Sequence, residues 1–409
     1  MILSDQTSLN KRKVCFVITS VIHYGRNKYI LEELKKRPDL ELQIVVGASA
    51  LLSNYGEVLS TLTRDGFHCD AKIMMTLEGG NPVAMAKTTG IGIMEFTSVF
   101  DNLRPDVVVI RGDRYEMLSA TIAATYLNIP VAHIEGGDVT GTIDESVRHA
   151  ITKLSQIHFT TNADAYRRVL RMGENPRYVF LTGSPEIEAV SHNGFVVTNE
   201  YINQLGVGDV IDVTKPYLIV MQHSVTTEVG SNRAHVEETL RAISEIDMPA
   251  IWFWPNVDAG TDEVSKAIRV FREVHHSRTI RFIKYITPEQ FIGLLKGAVC
   301  LVGNSSTGIK ECSHLGIPAV NIGTRQAGRL RGPNVMDVSY NKEEIKTAIQ
   351  MQVAHGAYAP SRLYFKTGTA KRIAQVLAEI PLYVQKQFHE QTPLSVSLLS
   401  EQPEPYVST

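Results

Sequence analysis

The alternation of short Val- and Ile-rich runs with amphipathic stretches constrains the fold of this chain more than any other feature. Such runs are typical of strands in a parallel sheet, and the amphipathic stretches are typical of the helices that connect them. The alternation weakens over residues 194–215, where polar residues dominate, and then restarts, so the sequence predicts two consecutive doubly wound α/β units. We expect strands over residues 14–19, 42–47, 106–110, 130–134, 156–160 and 178–181 in the first unit and over residues 217–221, 250–254, 280–284, 299–302 and 318–322 in the second.

The length of 409 residues suits two domains, at about 100–200 residues per domain. We predict a first Rossmann-like domain over residues 1–195 and a second over residues 196–366, with the ligand in the cleft between them. A C-terminal helix over residues 367–388 is expected to pack back towards the first domain. Residues 389–409 are rich in Ser, Pro and Glu, which is typical of a disordered tail.

Composition and simple motifs exclude several classes of partner. The formal net charge of −2 gives no electrostatic reason to expect a nucleic acid or an anionic membrane. No apolar run approaches the ~20 residues of a membrane span, and residues 1–12 lack the apolar core of a signal peptide. The four cysteines show no CxxC or metal-binding spacing, which suits a reducing cytoplasm. Gly90-Ile91-Gly92 is followed by Glu95 at the third glycine position and lies in a helical stretch, so we expect no NAD.

Carboxylates follow two neighbouring strands of the predicted first sheet. Asp113 comes after the strand over 106–110, Glu135 comes after the strand over 130–134, and Asp144 lies at the far end of the second loop. Ligands of parallel α/β sheets bind at the carboxyl ends of the strands, so these acids are candidates for proton transfer. Three arginines and two histidines share this stretch, namely Arg111, Arg114, Arg148, His133 and His149.

Polar loops also follow two strands of the second unit. His223 follows an apolar run and could serve as an acid, a base or a phosphate donor, or only cap the next helix. Asn256 and Asp258 could pair with ligand hydroxyls or a base edge, or only shape a turn.

The strongest phosphate signal is Gly303-Asn304-Ser305-Ser306, where a strand ends and a helix begins. Free amides at a helix N-terminus with hydroxyls beside them form an anion site, although Ser305 could also be a plain helix cap. Glu311 lies further along this helix and could meet a ribose diol. The loop after the next strand carries Arg325, which could hold a phosphate or clamp the loop.

Taken in order, these motifs resemble those of the hydrolysing UDP-N-acetylglucosamine 2-epimerases of sialic-acid-type pathways, including the epimerase half of the vertebrate bifunctional epimerase/kinase. The resemblance extends over about residues 14–377. The motifs that carry it are Gly112-Asp113-Arg114, His133-Ile134-Glu135-Gly136-Gly137, Gly141-Thr142-Ile143-Asp144, Gln222-His223, Pro255-Asn256-Val257-Asp258, Gly303-Asn304-Ser305-Ser306 and Gly323-Thr324-Arg325-Gln326.

The resemblance implies the GT-B architecture, two Rossmann-like domains with the active site between them. It also implies removal of the C2 proton, expulsion of UDP to leave a 2-acetamidoglycal, and addition of water to give N-acetylmannosamine. No cofactor and no metal are implied. The expected ligand is a UDP-linked sugar, and relatives often form homodimers, so a dimer or tetramer is expected.

The resemblance also assigns roles to residues of this chain. It makes the three first-domain acids and His223 catalytic and Ser305 and Ser306 phosphate ligands. The other residues that it places against the nucleotide or sugar are Arg114, Asn256, Asp258, Gly303, Glu311 and Arg325.

Two positions depart from the family pattern. Val21 stands where the family carries an arginine that reaches the nucleotide, and Arg26 could replace it. Ala50 stands where the family has a histidine close to the sugar, so both changes are expected to face the ligand. The parent sugar UDP-N-acetylglucosamine is the first expectation, and a modified sugar such as UDP-2,4-diacetamido-2,4,6-trideoxyglucose is the alternative. Further alternatives are a GT-B glycosyltransferase and a non-catalytic nucleotide-sugar binding protein.

Overall fold

The computed structural model describes residues 11–52, 58–77, 80–192, 194–255, 258–274 and 279–390. These residues form two seven-stranded sheets with helices packed against them. The two doubly wound α/β units expected from the sequence are therefore present.

The first unit is built on a sheet in which every strand pair is parallel. Its strands are β1 (Arg12–Ile18), β2 (Leu40–Gly47), β3 (Ala71–Ile73), β4 (Val107–Arg111), β5 (Val131–Ile134), β6 (Ile157–Thr160) and β7 (Val179–Leu181). They lie in the order β3-β2-β1-β4-β5-β6-β7. The helices of this unit are α1 (Val21–Lys36), α2 (Val58–Arg64), α3 (Pro82–Leu103), α4 (Tyr115–Tyr126), α5 (Ile143–Leu154), α6 (Ala163–Arg171) and α7 (Pro185–His192).

Strand β1 shows why this sequence forms a central strand. Val14 and Phe16 are fully buried in one core cluster, whereas Cys15 and Val17 are fully buried in another. Because successive side chains of a strand point to opposite faces, helices must cover both faces of the sheet. A continuous apolar run, rather than an alternating one, is what such a strand requires.

The second unit repeats this plan with one antiparallel edge strand. Its strands are β8 (Val207–Gly208), β9 (Leu218–Met221), β10 (Ala250–Phe253), β11 (Ile280–Ile283), β12 (Cys300–Gly303), β13 (Ala319–Ile322) and β14 (Val335–Val338). They lie in the order β14-β13-β12-β9-β10-β11-β8, and β8 runs antiparallel to β11. The helices are α8 (Asn199–Gln204), α9 (Asn232–Ser244), α10 (Thr261–Val274), α11 (Pro288–Gly297), α12 (Ser306–Ile309), α13 (Glu311–Leu315), α14 (Lys342–His355) and α15 (Thr369–Glu379).

The last helix lies against the first unit although it follows the second in sequence. Ile373 and Leu377 of α15 belong to the same buried cluster as Ile30 and Leu34 of α1. The exact domain boundaries stay predictions, and residues 391–409 of the expected tail lie outside the described residues. None of the helices in the described part of the chain combines the length and apolar character that a membrane span requires.

Two close backbone contacts join the units at the carboxyl ends of their strands. The Gly141 amide donates to the Arg325 carbonyl at 3.1 Å, and the Gly260 amide donates to the Gly80 carbonyl at 2.9 Å. A Cβ atom at Gly141 would lie 1.9 Å from the Thr324 carbonyl oxygen. Glycine is therefore required for this approach.

Candidate functional site

A cavity of about 330 Å³ lies between the two units, where the carboxyl ends of both sheets face each other. Loops after β4 and β5 line one side, and loops after β9, β12 and β13 line the other. This is the position at which parallel α/β sheets bind ligands. Eleven of the thirteen residues predicted for the site line this cavity, namely Arg26, Asp113, Arg114, Glu135, Asp144, His223, Asp258, Ser305, Ser306, Glu311 and Arg325.

Asp113 is held by a buried arginine. Gly112 has a φ of 80°, so the chain turns sharply at the end of β4 and delivers Asp113 to the cavity. The guanidinium of Arg148, on α5, donates to the Asp113 carboxylate and to the Asp138 carbonyl at 2.8 Å. Arg148 is fully buried, so this arginine fixes the orientation of the Asp113 carboxylate from the protein interior.

Glu135 occupies a backbone conformation that is rare for a residue with a side chain. Its φ is 76°, in the left-handed region, directly after β5. Its carboxylate accepts from Arg111 Nε at 3.2 Å and from the ammonium of Lys310. Burial raises the pKa of Glu135, but the charges of Lys310 and Arg111 outweigh burial and lower that pKa to about 2. Glu135 is therefore a persistently ionised carboxylate.

Asp144 lies in the first turn of α5 in a contrasting environment. Thr142 Oγ1 donates to Asp144 Oδ2 at 3.0 Å. Burial, followed by the negative charge of Asp258, raises the pKa of Asp144 above its ordinary value. The environment of the cavity therefore lowers the pKa of Glu135 and raises that of Asp144. Such a difference allows two carboxyl groups to take different roles in acid–base chemistry.

His223 follows β9 on the second unit. Its backbone amide donates to Asn304 Oδ1 at 2.8 Å, and Asn304 Nδ2 donates to the His223 carbonyl at 2.8 Å. Burial, followed by the charge of Arg325, lowers the pKa of the imidazole to about 3. The ring is therefore neutral at physiological pH and can donate one hydrogen bond and accept another.

The predicted phosphate serines lie beside Arg26. Ser305 caps α12 by accepting from the Thr307 amide at 3.3 Å. Arg26, on α1 of the first unit, donates to Ser306 Oγ at 3.3 Å and to Glu311 Oε1 at 2.9 Å. The Arg26 cation and the Ser306 hydroxyl consequently meet across the cleft, and Ser305 lines the same cavity, which gives the chemistry of an anion site.

Arg114 and Arg325 both interact with groups of the second unit. Arg114 Nη1 donates to Asp258 Oδ1 at 2.8 Å, and Arg325 Nη1 donates to the Asn304 carbonyl at 3.1 Å. Burial raises the pKa of Asp258, but Arg114 and then Arg325 outweigh it and lower that pKa below its ordinary value. Asn256, predicted beside Asp258, lies outside the described residues.

Gly303 is the one predicted residue among those described that does not line the cavity. It ends β12 with a φ of 129°, and a Cβ atom there would lie 2.1 Å from the Met221 carbonyl oxygen. The ligand contact predicted for Gly303 therefore stays a prediction, and the structure gives this glycine a role in strand packing. Its role is to let β12 approach β9 before the chain turns towards the serines.

The structure also contains a buried charge cluster that the sequence did not predict, formed by Arg111, Glu135, Glu186 and Lys310. Arg111 ends β4 and was noted only as a nearby arginine, while Glu186, on α7, and Lys310, between α12 and α13, were given no role. Glu186 lies in the first turn of the helix that follows β7, beyond the carboxyl end of that strand, and this position is the signal that could have identified it. An aromatic wall formed by Phe253, Trp254 and Phe291 was also missed.

Comparison with known proteins assigns the family. Residues 32–378 match the family model described as UDP-N-acetylglucosamine 2-epimerase. The chain belongs to this family.

Two curated relatives match nearly the whole chain. A Legionella pneumophila protein named UDP-N,N'-diacetylbacillosamine 2-epimerase (hydrolyzing) is 33% identical over 91% of this chain and 97% of its own length. A Neisseria meningitidis UDP-N-acetylglucosamine 2-epimerase is 30% identical over 90% of this chain and 94% of its own length. Among solved structures, Methanocaldococcus jannaschii UDP-GlcNAc 2-epimerase in complex with UDP-GlcNAc and UDP superposes with a TM-score of 0.75. That match has 18% identity and covers 89% of this chain and 99% of the other, and it confirms the expected GT-B architecture.

The two departures from the epimerase family pattern differ in their surroundings. Val21 lines the cavity at the start of α1, together with His23 and Arg26. Ala50 does not line the cavity, because it is buried in the core of the first unit. The expectation that Ala50 faces the ligand was therefore wrong. The chain after β2 enters a short 3₁₀ helix that turns Ala50 inward and leaves Ser49 on the cavity wall.

The site offers no grouping of residues that suits a metal ion. Within the described ranges, no cluster of three or more His, Cys, Asp or Glu side chains has the arrangement of a metal site. Glu135 is instead paired with Arg111 and Lys310, and Asp113 is paired with Arg148.

Proposed function

We propose that this chain is a hydrolysing 2-epimerase of a UDP-linked 2-acetamido sugar. The observation that carries the proposal is one cavity with three carboxylates, Asp113, Glu135 and Asp144, on one side and the Ser305–Ser306 anion site on the other. In the proposed reaction the C2–H and C1–O bonds break, UDP leaves, and a C1–C2 double bond forms. Protonation at C2 on the opposite face and addition of water at C1 then give the free C2-inverted sugar.

The opposite pKa shifts of Asp144 and Glu135 support different chemical roles for the carboxylates. Asp144, with a raised pKa, is the best suited of the three to exchange a proton near neutral pH. Glu135, ionised throughout, is suited to stabilise positive charge that develops at C1. Asp113, clamped by Arg148, supplies a fixed second carboxylate. Neutral His223 can hold or orient water or a phosphate oxygen.

The nucleotide is proposed to lie on the second unit. Ser305, Ser306 and Arg26 would hold the diphosphate, with Arg114 and Arg325 nearby. Glu311 would accept from the ribose diol, sharing its carboxylate with Arg26. The aromatic side chains of Phe253, Trp254 and Phe291, together with Asp258, would receive the base.

Among substrates, we propose UDP-N,N'-diacetylbacillosamine, which is UDP-2,4-diacetamido-2,4,6-trideoxyglucose. The relative named for this sugar is 33% identical, against 30% for the one named for UDP-N-acetylglucosamine, so the comparisons support the alternative better than the parent sugar. Val21 on the cavity wall presents methyl groups in place of the family's arginine. The product would be a free 2-epimeric sugar of the kind that sialic-acid-type pathways use.

The assay that tests the function uses each UDP-sugar with purified protein and no acceptor, followed by NMR. We expect UDP and a free sugar of inverted C2 configuration, because hydrolysis needs only water. Intact nucleotide sugar in both reactions would overturn the proposal. Turnover that appears only after an acceptor is added would indicate a glycosyltransferase instead.

We also propose a homo-oligomer assembled through the first unit. Met94 on α3 and Tyr126 on α4 are 64% and 85% exposed, and these two helices pack side by side. Large exposed apolar side chains on adjacent helices suit an interface. Sedimentation equilibrium should give a dimer or tetramer, and a monomer at micromolar concentration would contradict this. The cytoplasmic location inferred from the cysteines stays a prediction.

A further inference from the structure

Lys310 is a fully buried lysine whose charged partners all come from the opposite unit. It lies between α12 and α13 of the second unit, and its Nζ contacts the Glu135 carboxylate of the first. Two further first-unit carboxylates are close, Glu186 Oε1 at 3.2 Å and Asp138 Oδ2 at 3.5 Å. An ammonium is buried at this depth only when several opposite charges surround it.

Arg111 completes a cluster in which two cations and two carboxylates alternate. Its Nε donates to Glu135 at 3.2 Å, and its Nη2 donates to Glu186. All four side chains are at least nine-tenths buried. Without Lys310, Glu135 and Glu186 would share one guanidinium, and two neighbouring buried carboxylates cannot both remain ionised easily.

We propose that Lys310 is a positioning residue that keeps Glu135 ionised and aimed into the cavity. Because Lys310 belongs to the second unit, this arrangement exists only while the two units are together. The inference rests on the proposed function, in which Glu135 acts as an ionised carboxylate. Lys310 itself does not line the cavity, so it acts through Glu135 and not on the substrate.

Other charged and titratable groups also face Glu135, and they do not replace the lysine. Arg329, from the loop after β13, lowers the pKa of Glu135 less than Lys310 and Arg111 do. Arg26 forms its ion pair with Glu311, with 2.9 Å between Nη2 and Oε1. The remaining groups are His23, His133, Tyr364, Glu186 and Asp138. The histidines have lowered pKa values and are neutral near pH 7, so they bring no compensating charge.

The test compares Lys310→Met with Lys310→Arg and with the double variant Lys310→Met/Glu186→Gln, using the UDP-sugar on which the wild-type protein is active. Lys310→Met should lower kcat at neutral pH by about 10²-fold, because Glu135 loses one of the two cations that aim it at the charge developing at C1. It should also raise the pKa of Glu135 by about 1–3 units, followed by 13C NMR titration of its carboxyl carbon, because a lost positive neighbour raises a carboxyl pKa by this amount. The affinity for UDP should stay within about twofold, since Lys310 lies outside the cavity.

Rescue distinguishes an electrostatic role from a structural one. Lys310→Arg keeps the charge and should restore most of kcat. The double variant removes one positive and one negative charge, leaves Arg111 paired with Glu135, and should return the pKa of Glu135 towards its wild-type value. Lys386→Met is the matched control, since Lys386 also pairs with a buried glutamate, Glu174, which does not line the cavity. It should lower the melting temperature without changing the pKa of Glu135.

An unchanged pKa of Glu135 in Lys310→Met, or a double variant with a lower kcat than the single one, would overturn the inference. If Lys310→Met does not fold, the double variant decides, because it should fold with a Glu135 pKa close to the wild-type value, and a clearly raised pKa there would overturn the inference. An inactive wild-type protein would instead contradict the proposed function, so the two failures are distinguishable.

Discussion

Arg114 Nη1 lies 2.8 Å from Asp258 Oδ1, so the loop after β4 of one unit is joined to the loop after β10 of the other. Arg114 is fixed on its own side as well, because its Nε and Nη2 donate to the buried Glu116 carboxylate at 3.1 and 3.0 Å. One guanidinium therefore satisfies carboxylates from both units. Arg26–Glu311 and Lys310–Glu135 are further ion pairs that join the two units beside the cavity.

Asp113→Asn should lower kcat by about 10²–10⁴-fold, the contribution typical of an acid–base group. The affinity for UDP should change little, because Asp113 lies on the first-unit side of the cavity, away from the serines. Steady-state kinetics with UDP calorimetry measures both quantities. Asp101→Asn, an exposed change on α3, is the control, and near-wild-type turnover in Asp113→Asn would remove this residue from the mechanism.

Replacing Ser305 and Ser306 together by alanine should weaken UDP binding by about 1–3 kcal/mol, the range for hydrogen bonds to a charged group. The backbone amides at the start of α12 and Arg26 remain, so the loss should be partial. Calorimetry with UDP provides the measurement, and exposed Ser244→Ala serves as control. Unchanged affinity would place the diphosphate elsewhere. Loss of the Ser305 cap should also lower stability by about 0.5–2 kcal/mol.

Asp144→Asn should abolish turnover while stabilising the fold at neutral pH. The pKa of Asp144 is raised in the folded state, so its ionised form is less favourable there than in the unfolded chain. This cost is fully present above the folded-state pKa and disappears below the unfolded value of about 3.9. The stability gain of the asparagine variant should therefore be largest near pH 7 and shrink as the pH falls towards 4. Urea unfolding at several pH values would show it, and a gain independent of pH would contradict the raised pKa.

The kcat/KM for UDP-N,N'-diacetylbacillosamine should exceed that for UDP-N-acetylglucosamine by about tenfold or more, as pocket contacts with one or two substituents allow. Val21 contributes an apolar surface to the cavity where a donor would favour hydroxyls. The competing outcome is a preference for UDP-N-acetylglucosamine. It would follow if His23 and Arg26, which also line the cavity, restored the polar contacts that Val21 cannot make. A clear preference for the parent sugar would favour that compensation.

Much of the fold and the site could be predicted from the sequence because both depend on local patterns. Apolar runs identify strands buried on both faces, and Asp113, Glu135 and Ser305 follow such runs directly. The short edge strands β3, β8 and β14 were missed because strands of two to four residues, whose side chains are mostly exposed or partly exposed, leave little pattern. Ala50 was misplaced because a 3₁₀ turn with a positive φ at Ala48 changes which side chain faces the cavity.

The charge cluster could not be predicted for a different reason. Lys310 meets Glu135 and Glu186 only after the two units pack together, and the sequence shows no periodicity across such a distance. Its charge within an otherwise apolar and small-residue segment, Thr307-Gly308-Ile309, was the available signal. A buried lysine requires partners, but the sequence alone does not say which carboxylates provide them.

Turnover in D₂O distinguishes elimination followed by hydration from simple hydrolysis. Wild-type protein and the better of the two UDP-sugars would be incubated in D₂O and the released sugar examined by NMR and mass spectrometry. We expect one deuteron at C2 of a free sugar with inverted C2 configuration, because the C2 proton is removed and replaced from solvent. Release of UDP with a sugar that retains both its C2 proton and its original configuration would contradict this mechanism.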